Sequence, residues 1–410
     1  MSMMLQELKI GTGQLSAGMY VCRLDRPWTG APFPLQGFLV QPGTQLDWLR
    51  EHCHWVWIDV RRGTAPAGRP AVAAAAAMDT GDRLIGSVVH VDTVPFAEEL
   101  PAAHQAHDNA ARLAARILAD VQAGHKLAAS EVRTAAEPVV HSVLRNADAL
   151  FWVNALQRHD SYAYGHAINC CVLAAAFGRH LGLPEDLLVD LASGGLLLDV
   201  GKTQLPHALL ADPGPLDEAA MEQVRTHVEL GQAILADSDE PHAATVVQML
   251  RTHHERWDGS GYPDGLMARA IPLAGRMAAI IDSFDAMTSL RAHAPAQARH
   301  EALQELYRNR GRLYHGELVE QFTGCLGVYP TGSLVELSTG EVAVVMTQNP
   351  SRRLRPLVML LTGADKVPRD VFSPLDLMLQ PEGEPVSKQV NIVRPLPVGA
   401  HGLDPAELFL

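Results

Sequence analysis

From about Val94 to Leu326, segment after segment carries apolar residues at helical spacing, and no alternation of strands with helices interrupts them. Ala97 to Ala123 shows this spacing and Glu131 to Leu156 continues it. Gly182-Leu-Pro-Glu-Asp186 stops one helix and starts the next, with Pro184 and two acids in the new first turn. Asp212-Pro-Gly-Pro-Leu-Asp217 turns into a further helix, with Asp217 as its N-cap. A stretch of this kind folds as an all-α domain.

The flanks read differently. Between Leu5 and about Gly63, the runs Met19–Leu24, Gly37–Val40 and Trp55–Asp59 have strand character, and Thr44–His52 reads as a short helix. Thr64 to about Asp82 is rich in alanine, proline and glycine and includes the run Ala73–Ala77, which predicts a linker. After Tyr329-Pro330, Ser333–Leu337 and Glu341–Met346 form a hairpin signal across Ser338-Thr-Gly340, and Leu354–Leu361 and Gln389–Val393 add strands. The expected chain is multidomain and mainly α. It has an α/β unit at 1–63, a linker at 64–93, a central helical bundle at 94–328 and a small β-rich module at 329–410.

Composition narrows the function. With 410 residues, 47% hydrophobic and 19% charged, the chain is expected to be an ordinary globular protein. No apolar run reaches the roughly 18 residues of a membrane helix, and Met1–Ile10 lacks the pattern of a signal peptide. Five cysteines without a CxxC pair fit reduced thiols and a cytoplasmic location. A net charge of −13 argues against binding a nucleic-acid polymer. It leaves room for a small anionic ligand held through metal ions, which bring the positive charge themselves.

The stretch Arg251 to Gly265 sets His253 and His254 side by side before a glycine turn, Gly259-Ser-Gly261, closed by Tyr262-Pro263. Neighbours on a helix point about 100° apart, yet at a helix end over a cleft two rings can converge on one ion. A surface histidine pair ahead of a loop is the equal alternative for this stretch taken alone. Four further segments place similar groups at the edges of apolar helices. Tyr164-Gly-His166 precedes Cys170, Val172 and Leu173, and Leu196-Leu-Leu-Asp199-Val-Gly-Lys202 puts an acid after three leucines, which is costly to bury unpaired. Ile280-Ile-Asp282-Ser-Phe-Asp285 puts two carboxylates at i, i+3, and Arg225-Thr-His227 offers another histidine. Together these segments predict one metal centre between the helices of a bundle. His52-Cys53-His54 and the cluster Arg352, Arg353 and Arg355 read as structural or solvated groups.

From about His166 to Val328 the chain resembles the HD-GYP domain, a branch of the HD phosphohydrolase superfamily. The resemblance rests on the His166 helix, Asp199-Val-Gly-Lys202, Thr226-His227 with Leu230-Gly231, and His253-His254-Glu-Arg. It rests also on Asp258-Gly-Ser-Gly-Tyr-Pro263 and on Asp282-Ser-Phe-Asp285-Ala-Met-Thr-Ser with Arg291. The N-terminal unit, with Gly18-Met-Tyr-Val and Leu24-Asp-Arg-Pro-Trp28, is similar to an uncharacterised domain often joined to this one. The resemblance implies an all-α fold, bound iron, manganese or similar ions, and hydrolysis of cyclic di-GMP to the linear dinucleotide or GMP. It implies His166, Asp199, His227, His253, His254 and Asp282 as metal ligands, with Asp199 bridging two divalent ions. It implies catalytic roles for Asp199, Lys202 and Asp285. Lys202 and Arg291 would offset phosphate charge, and Gly261, Tyr262 and Pro263 would shape the wall against guanine or ribose.

Three departures qualify this. The family's His-Asp doublet reads Leu198-Asp199 here, Tyr162 stands where some members carry a ligand glutamate, and Ala292-His293-Ala294 follows Arg291. Two ions are therefore expected rather than three, one of them weakly held, with impaired turnover. A non-catalytic cyclic di-GMP receptor or protein-interaction scaffold is the alternative, and a hydrolase for another nucleotide is a third reading. A signalling protein partner and a homodimer stay open. No membrane association is expected.

Overall fold

The computed structural model describes residues 7–24, 38–59, 64, 86, 88, 90–157, 162–211, 217–289, 296–349, 352–379 and 389–409. The chain divides into two compact units, Met1–Asp82 and Arg83–Leu410.

The first unit holds β1 (Glu7–Gly11), β2 (Tyr20–Leu24), β3 (Phe38–Leu39), α1 (Thr44–His52) and β4 (Trp55–Asp59). Its strands pair antiparallel in the order β1-β4-β2-β3. Alternation along β4 turns Val56 and Ile58 into a core with Ile10, Met19, Val21 and Leu49. Strand β1 has no clear signal in the sequence, because a period of two is hard to see in a run with only Leu8 and Ile10. Cys53 is buried in this core, and the His52 ring stacks on Trp48 with centroids 4.3 Å apart, so this triplet is structural.

The second unit is helical to residue 326. Its helices are α2 (Phe96–Gln122), α3 (Ala129–Arg145), α4 (Ala147–Leu156), α5 (Tyr162–His180), α6 (Glu185–Leu197) and α7 (His207–Ala211). They continue with α8 (Glu218–Arg225), α9 (His227–Ala236), α10 (Ala244–Thr252), α11 (Leu273–Thr288), α12 (Arg299–Arg308) and α13 (Gly316–Leu326). Helix α5 is buried on every side from Ile168 through Phe177 apart from Asn169, which makes it the axis of the bundle. Pro184 and the first-turn acids Glu185 and Asp186 start α6, while Asp217 caps α8 by accepting from the Ala220 N–H at 2.8 Å. Two glycines set how closely the elements meet at the centre. A Cβ on Gly195 would stand 2.6 Å from the Cys170 carbonyl oxygen, and one on Gly201 would stand 1.9 Å from that of His227.

Most of the expected linker, residues 65–85, 87 and 89, lies outside the described residues. Its end is not free chain. The Gly86 N–H donates to the Leu181 carbonyl at 2.7 Å, Val88 donates to Gly182 at 3.0 Å, and Thr93 donates to Arg145 at 3.0 Å. The segment therefore docks on the turn between α5 and α6, a pairing of backbone groups that no side-chain pattern announces.

The C-terminal strands are β5 (Leu334–Leu337), β6 (Val342–Thr347), β7 (Leu357–Thr362), β8 (Pro368–Asp376) and β9 (Ile392–Leu396), followed by α14 (Pro405–Leu408). They pair antiparallel in the order β8-β7-β6-β5-β9. One face of this sheet packs Leu334, Val342, Val344 and Leu361 against Trp152 and Leu156 of α4, so the module shares a core with the helices. Strand β8 is masked in the sequence by Pro374, which is tolerated inside it because β8 is an edge strand. Arg355 is a staple and not a solvated group: it donates to the Leu377 carbonyl at 3.1 Å and to Asn391 Oδ1 at 3.2 Å.

Candidate metal centre

The bundle brings the six expected ligand residues to one place. His166 comes from α5, Asp199 from the turn that ends α6, His227 from the first position of α9, and Asp282 from α11. His253 and His254 close the C-terminal end of α10, where the helix stops and both rings can turn the same way. The His227 Nε2 lies 3.4 Å from the His253 Nε2, and these atoms stand 3.4 and 3.8 Å from Asp199 Oδ1. On the other side, the His166 Nε2 lies 3.4 Å from both Asp199 Oδ2 and Asp282 Oδ1. The His254 Nδ1 is 3.9 Å from Asp282 Oδ2, and donor atoms of Asp199, His227, His253 and His254 all lie within 4.8 Å of one another. Asp199 thus turns one oxygen to each of two donor groups.

The protonation pattern fits a cation. The Nδ1 of His227 lies 2.7 Å from the Val224 carbonyl and that of His253 lies 2.8 Å from the Leu250 carbonyl. A carbonyl only accepts, so each Nδ1 carries the hydrogen and each Nε2 presents a lone pair. Two lone pairs then face each other beside Asp199 Oδ1, a buried oxygen with no hydrogen-bond partner among the described residues. Donors held about 2.1 Å from one ion stand roughly 3–3.5 Å apart; the His227 Nε2 is 3.4 Å from both the His253 Nε2 and Asp199 Oδ1, and the His253 Nε2 is slightly wider of Asp199 at 3.8 Å. Burial pushes His253 down to about 4 and also lowers His227 and His254, keeping all three imidazoles neutral as ligation requires. Burial would raise Asp199, but Lys202 and the surrounding histidines outweigh it and hold the carboxyl well below its usual range. Burial likewise opposes charge on His166, but Cys170, Asp282 and Asp285 outweigh it and raise its pKa well above the usual range, so a proton at Nε2 competes with a metal ion there.

Leu198 adds no donor. It is 1% exposed and belongs to the main core. The His166 side therefore has His166, Asp199 Oδ2 and Asp282, against four residues on the other side. The Cys170 thiol lies 3.6 Å from the His166 Nε2, and burial pushes it up to about 12.

Other expected residues take different positions. Asp285 was read with the catalytic groups, but it lies behind His166: its Oδ2 accepts from the His166 Nδ1 at 2.7 Å. Its Oδ1 accepts from Asn169 at 2.6 Å and from the Ser289 hydroxyl at 3.1 Å. A three-residue step keeps Asp282 and Asp285 on one face but about 4.5 Å apart along the axis, so they meet opposite edges of the imidazole. Lys202 ion-pairs with Asp199 Oδ2 at 2.5 Å. Arg291 lies outside the described residues, as do Ala292, His293 and Ala294, and the Tyr162 side chain is not described.

The glycine loop is folded against the histidines. A Cβ on Gly261 would meet the Arg256 nitrogen and the His254 carbonyl oxygen at 2.4 Å. The Tyr262 ring stacks on His254 with centroids 4.6 Å apart, with the Arg225 guanidinium 5.2 Å from its centroid, and the Tyr262–Pro263 peptide is cis. Glu255, to which no role was assigned from sequence, latches this loop. Buried to 1% exposure, it accepts from the Asp264 N–H at 2.8 Å and the Leu266 N–H at 2.9 Å. The signal available in the sequence was an acid directly after two candidate ligands.

A helical bundle that gathers four histidines and two aspartates around one shared carboxylate defines a protein of the HD class. The HD domain family model matches residues 150–318, and a domain of unknown function, DUF3391, matches residues 7–132, across the division between the two units. The cyclic di-GMP phosphodiesterase PA4108 of Pseudomonas aeruginosa is 32% identical over 88% of this chain and 86% of its own length. A cyclic di-GMP phosphodiesterase of Thermotoga maritima is 36% identical over 40% of this chain and 44% of its own. Among solved structures, Bd1817, an HDG"Y"P protein from Bdellovibrio bacteriovorus, covers 77% of this chain and 98% of its own at 14% identity, with a TM-score of 0.45. The chain belongs to the HD-GYP family of the HD phosphohydrolase superfamily, the cyclic di-GMP phosphodiesterase family.

Proposed function

We propose that this chain hydrolyses cyclic di-GMP with two divalent ions, one held firmly and one weakly, so that turnover is low. The observation that carries this reading is the Asp199 carboxylate, shared between two unequal donor groups. His227, His253, His254 and Asp199 Oδ1 would hold the firm ion; His166, Asp199 Oδ2 and Asp282 would hold the weak one. Divalent ions, when bound there, supply a nucleophile from water near neutral pH and a charge clamp for the phosphate. The chain's own groups prepare for this. Asp285 accepts a hydrogen bond from the Nδ1–H of His166 and so aims Nε2 at the centre. Glu255 and Gly261 hold the loop that brings Tyr262 over His254, leaving Tyr262 and Pro263 to border the bound base or ribose. Lys202 offsets charge at Asp199 and stands beside the place where the phosphate would lie. The relatives' substrate, a dianion, suits a chain of net charge −13 only if cations mediate the contact.

Leu198 also supports a second reading, in which the centre binds cyclic di-GMP through the firm ion and does not cleave it. Titration calorimetry with cyclic di-GMP, alongside assay of its linear product, separates the two. The enzyme reading expects slow, metal-dependent product formation that a chelator stops and that Asp199→Asn lowers by roughly a hundredfold or more, the scale on which catalytic groups act. Tight binding with no product from manganese- or iron-loaded protein would establish the receptor. Failure to bind at all would refute both.

A further inference from the structure

Behind Asp285, on the side away from the ligand residues, lies a cavity of about 40 Å³ lined by Asn154, Asn169, Asp285, Ser289, Arg299 and Thr331, among others. None of the six ligand residues lines it. Water needs roughly 10–15 Å³ in the same measure, so the cavity has room for a few waters or one small ion and none for a nucleotide. Its polar walls are unevenly satisfied. Asp285 is saturated by His166, Asn169 and Ser289, and the Thr331 hydroxyl points to Asp148 Oδ1 at 3.4 Å. Asn154 is different: its Oδ1 is buried without a partner, and its amide makes no hydrogen bond among the described residues. Arg299, from the first turn of α12, lines the cavity with no ion pair or hydrogen bond among the described residues. Burial lowers the pKa of this guanidinium, with Asp285 only partly offsetting the effect.

A guanidinium and a primary amide facing one small polar space complement an oxyanion. The guanidinium offers a planar fork, and the amide, whose two ends are interchangeable by rotation, offers a further donor. Arg299 is half-buried, and the Asp285 carboxylate on the same wall, already taken up by three donors, offsets its charge only in part, so a small anion would complete it. We propose that this cavity is a binding site for a small oxyanion no larger than inorganic phosphate, held by Arg299 and Asn154. The site is distinct from the metal centre and does not depend on how that centre reacts.

The test is titration calorimetry of the full-length, manganese-loaded protein with inorganic phosphate at constant ionic strength. Phosphate also has access to the metal centre, so His253→Ala is measured in parallel to remove that contribution. The wild type and His253→Ala should share one binding event. Arg299→Met and, independently, Asn154→Leu should weaken that event at least about tenfold, the scale of losing charge-assisted hydrogen bonds. The two substitutions act by different means, one deleting the charge and one replacing the amide by apolar bulk, so they test the site independently. The proposal is overturned if both variants bind phosphate as the wild type does. It is equally overturned if His253→Ala abolishes all binding, which would place the phosphate at the metal centre.

Discussion

At position 198 a leucine packs into the core next to Asp199, where a histidine would add a donor to the His166 side. Asp199 then has to serve two groups of different strength, one with three imidazoles and one with a single imidazole and Asp282. On the weaker side the orientation of His166 matters more, because fewer donors can compensate for its loss. Asp285 provides that orientation through a 2.7 Å hydrogen bond to Nδ1. Asp285→Asn keeps the shape but can present an N–H to the ring, which would draw the Nδ1 lone pair and move the proton to Nε2. Manganese affinity measured by titration should fall roughly 10–100-fold, the usual cost of losing such an outer partner, while the helical circular dichroism stays unchanged. Unaltered manganese affinity in a folded Asp285→Asn protein would show that Asp285 does not position His166.

The elements that carry the expected ligand residues are legible in the sequence because each announces itself twice, through helical period and through a polar group at the edge of an apolar run. His166 on α5 and Asp282 on α11 are of this kind. What stayed hidden depends on contacts between distant segments. Glu255 acquires its role only when the loop from Asp264 to Leu266 folds back on it, and the i, i+3 step that puts Asp282 and Asp285 on one face does not say that Asp285 bonds the far edge of the His166 ring. Strand β8 carries a proline that only an edge position excuses, and the docking of Gly86 and Val88 uses backbone groups alone. The junction between α4 and the C-terminal sheet has the same character. There Asp148 Oδ2 accepts from the Gln348 N–H at 2.8 Å, and burial raises its carboxyl to about 7. A carboxyl raised in the folded state favours folding fully below its unfolded pKa, near 4, and loses that contribution as pH rises through about 7. Asp148→Asn keeps an acceptor for Gln348 and removes the titration. Urea midpoints taken at pH 4.5 and 7.5 should show the variant gaining on the wild type at the higher pH. A gap that does not change with pH would mean that Asp148 is not desolvated as this junction implies.

At the scale of the whole molecule, the helical body with its candidate metal centre and the C-terminal sheet form one unit, and the N-terminal sheet forms another. Among the described residues no helix is long and apolar enough to cross a membrane. The central claim is that this body carries an HD-type centre with one of its two ion positions weakened at residue 198. The direct measurement is metal content per chain by mass spectrometry, together with cyclic di-GMP turnover, on the wild type and on Leu198→His prepared side by side. A restored imidazole donor should raise bound metal by one ion per chain and raise turnover by roughly tenfold or more, since two-ion chemistry requires both positions. Equal metal content and equal turnover in the two proteins would contradict the account.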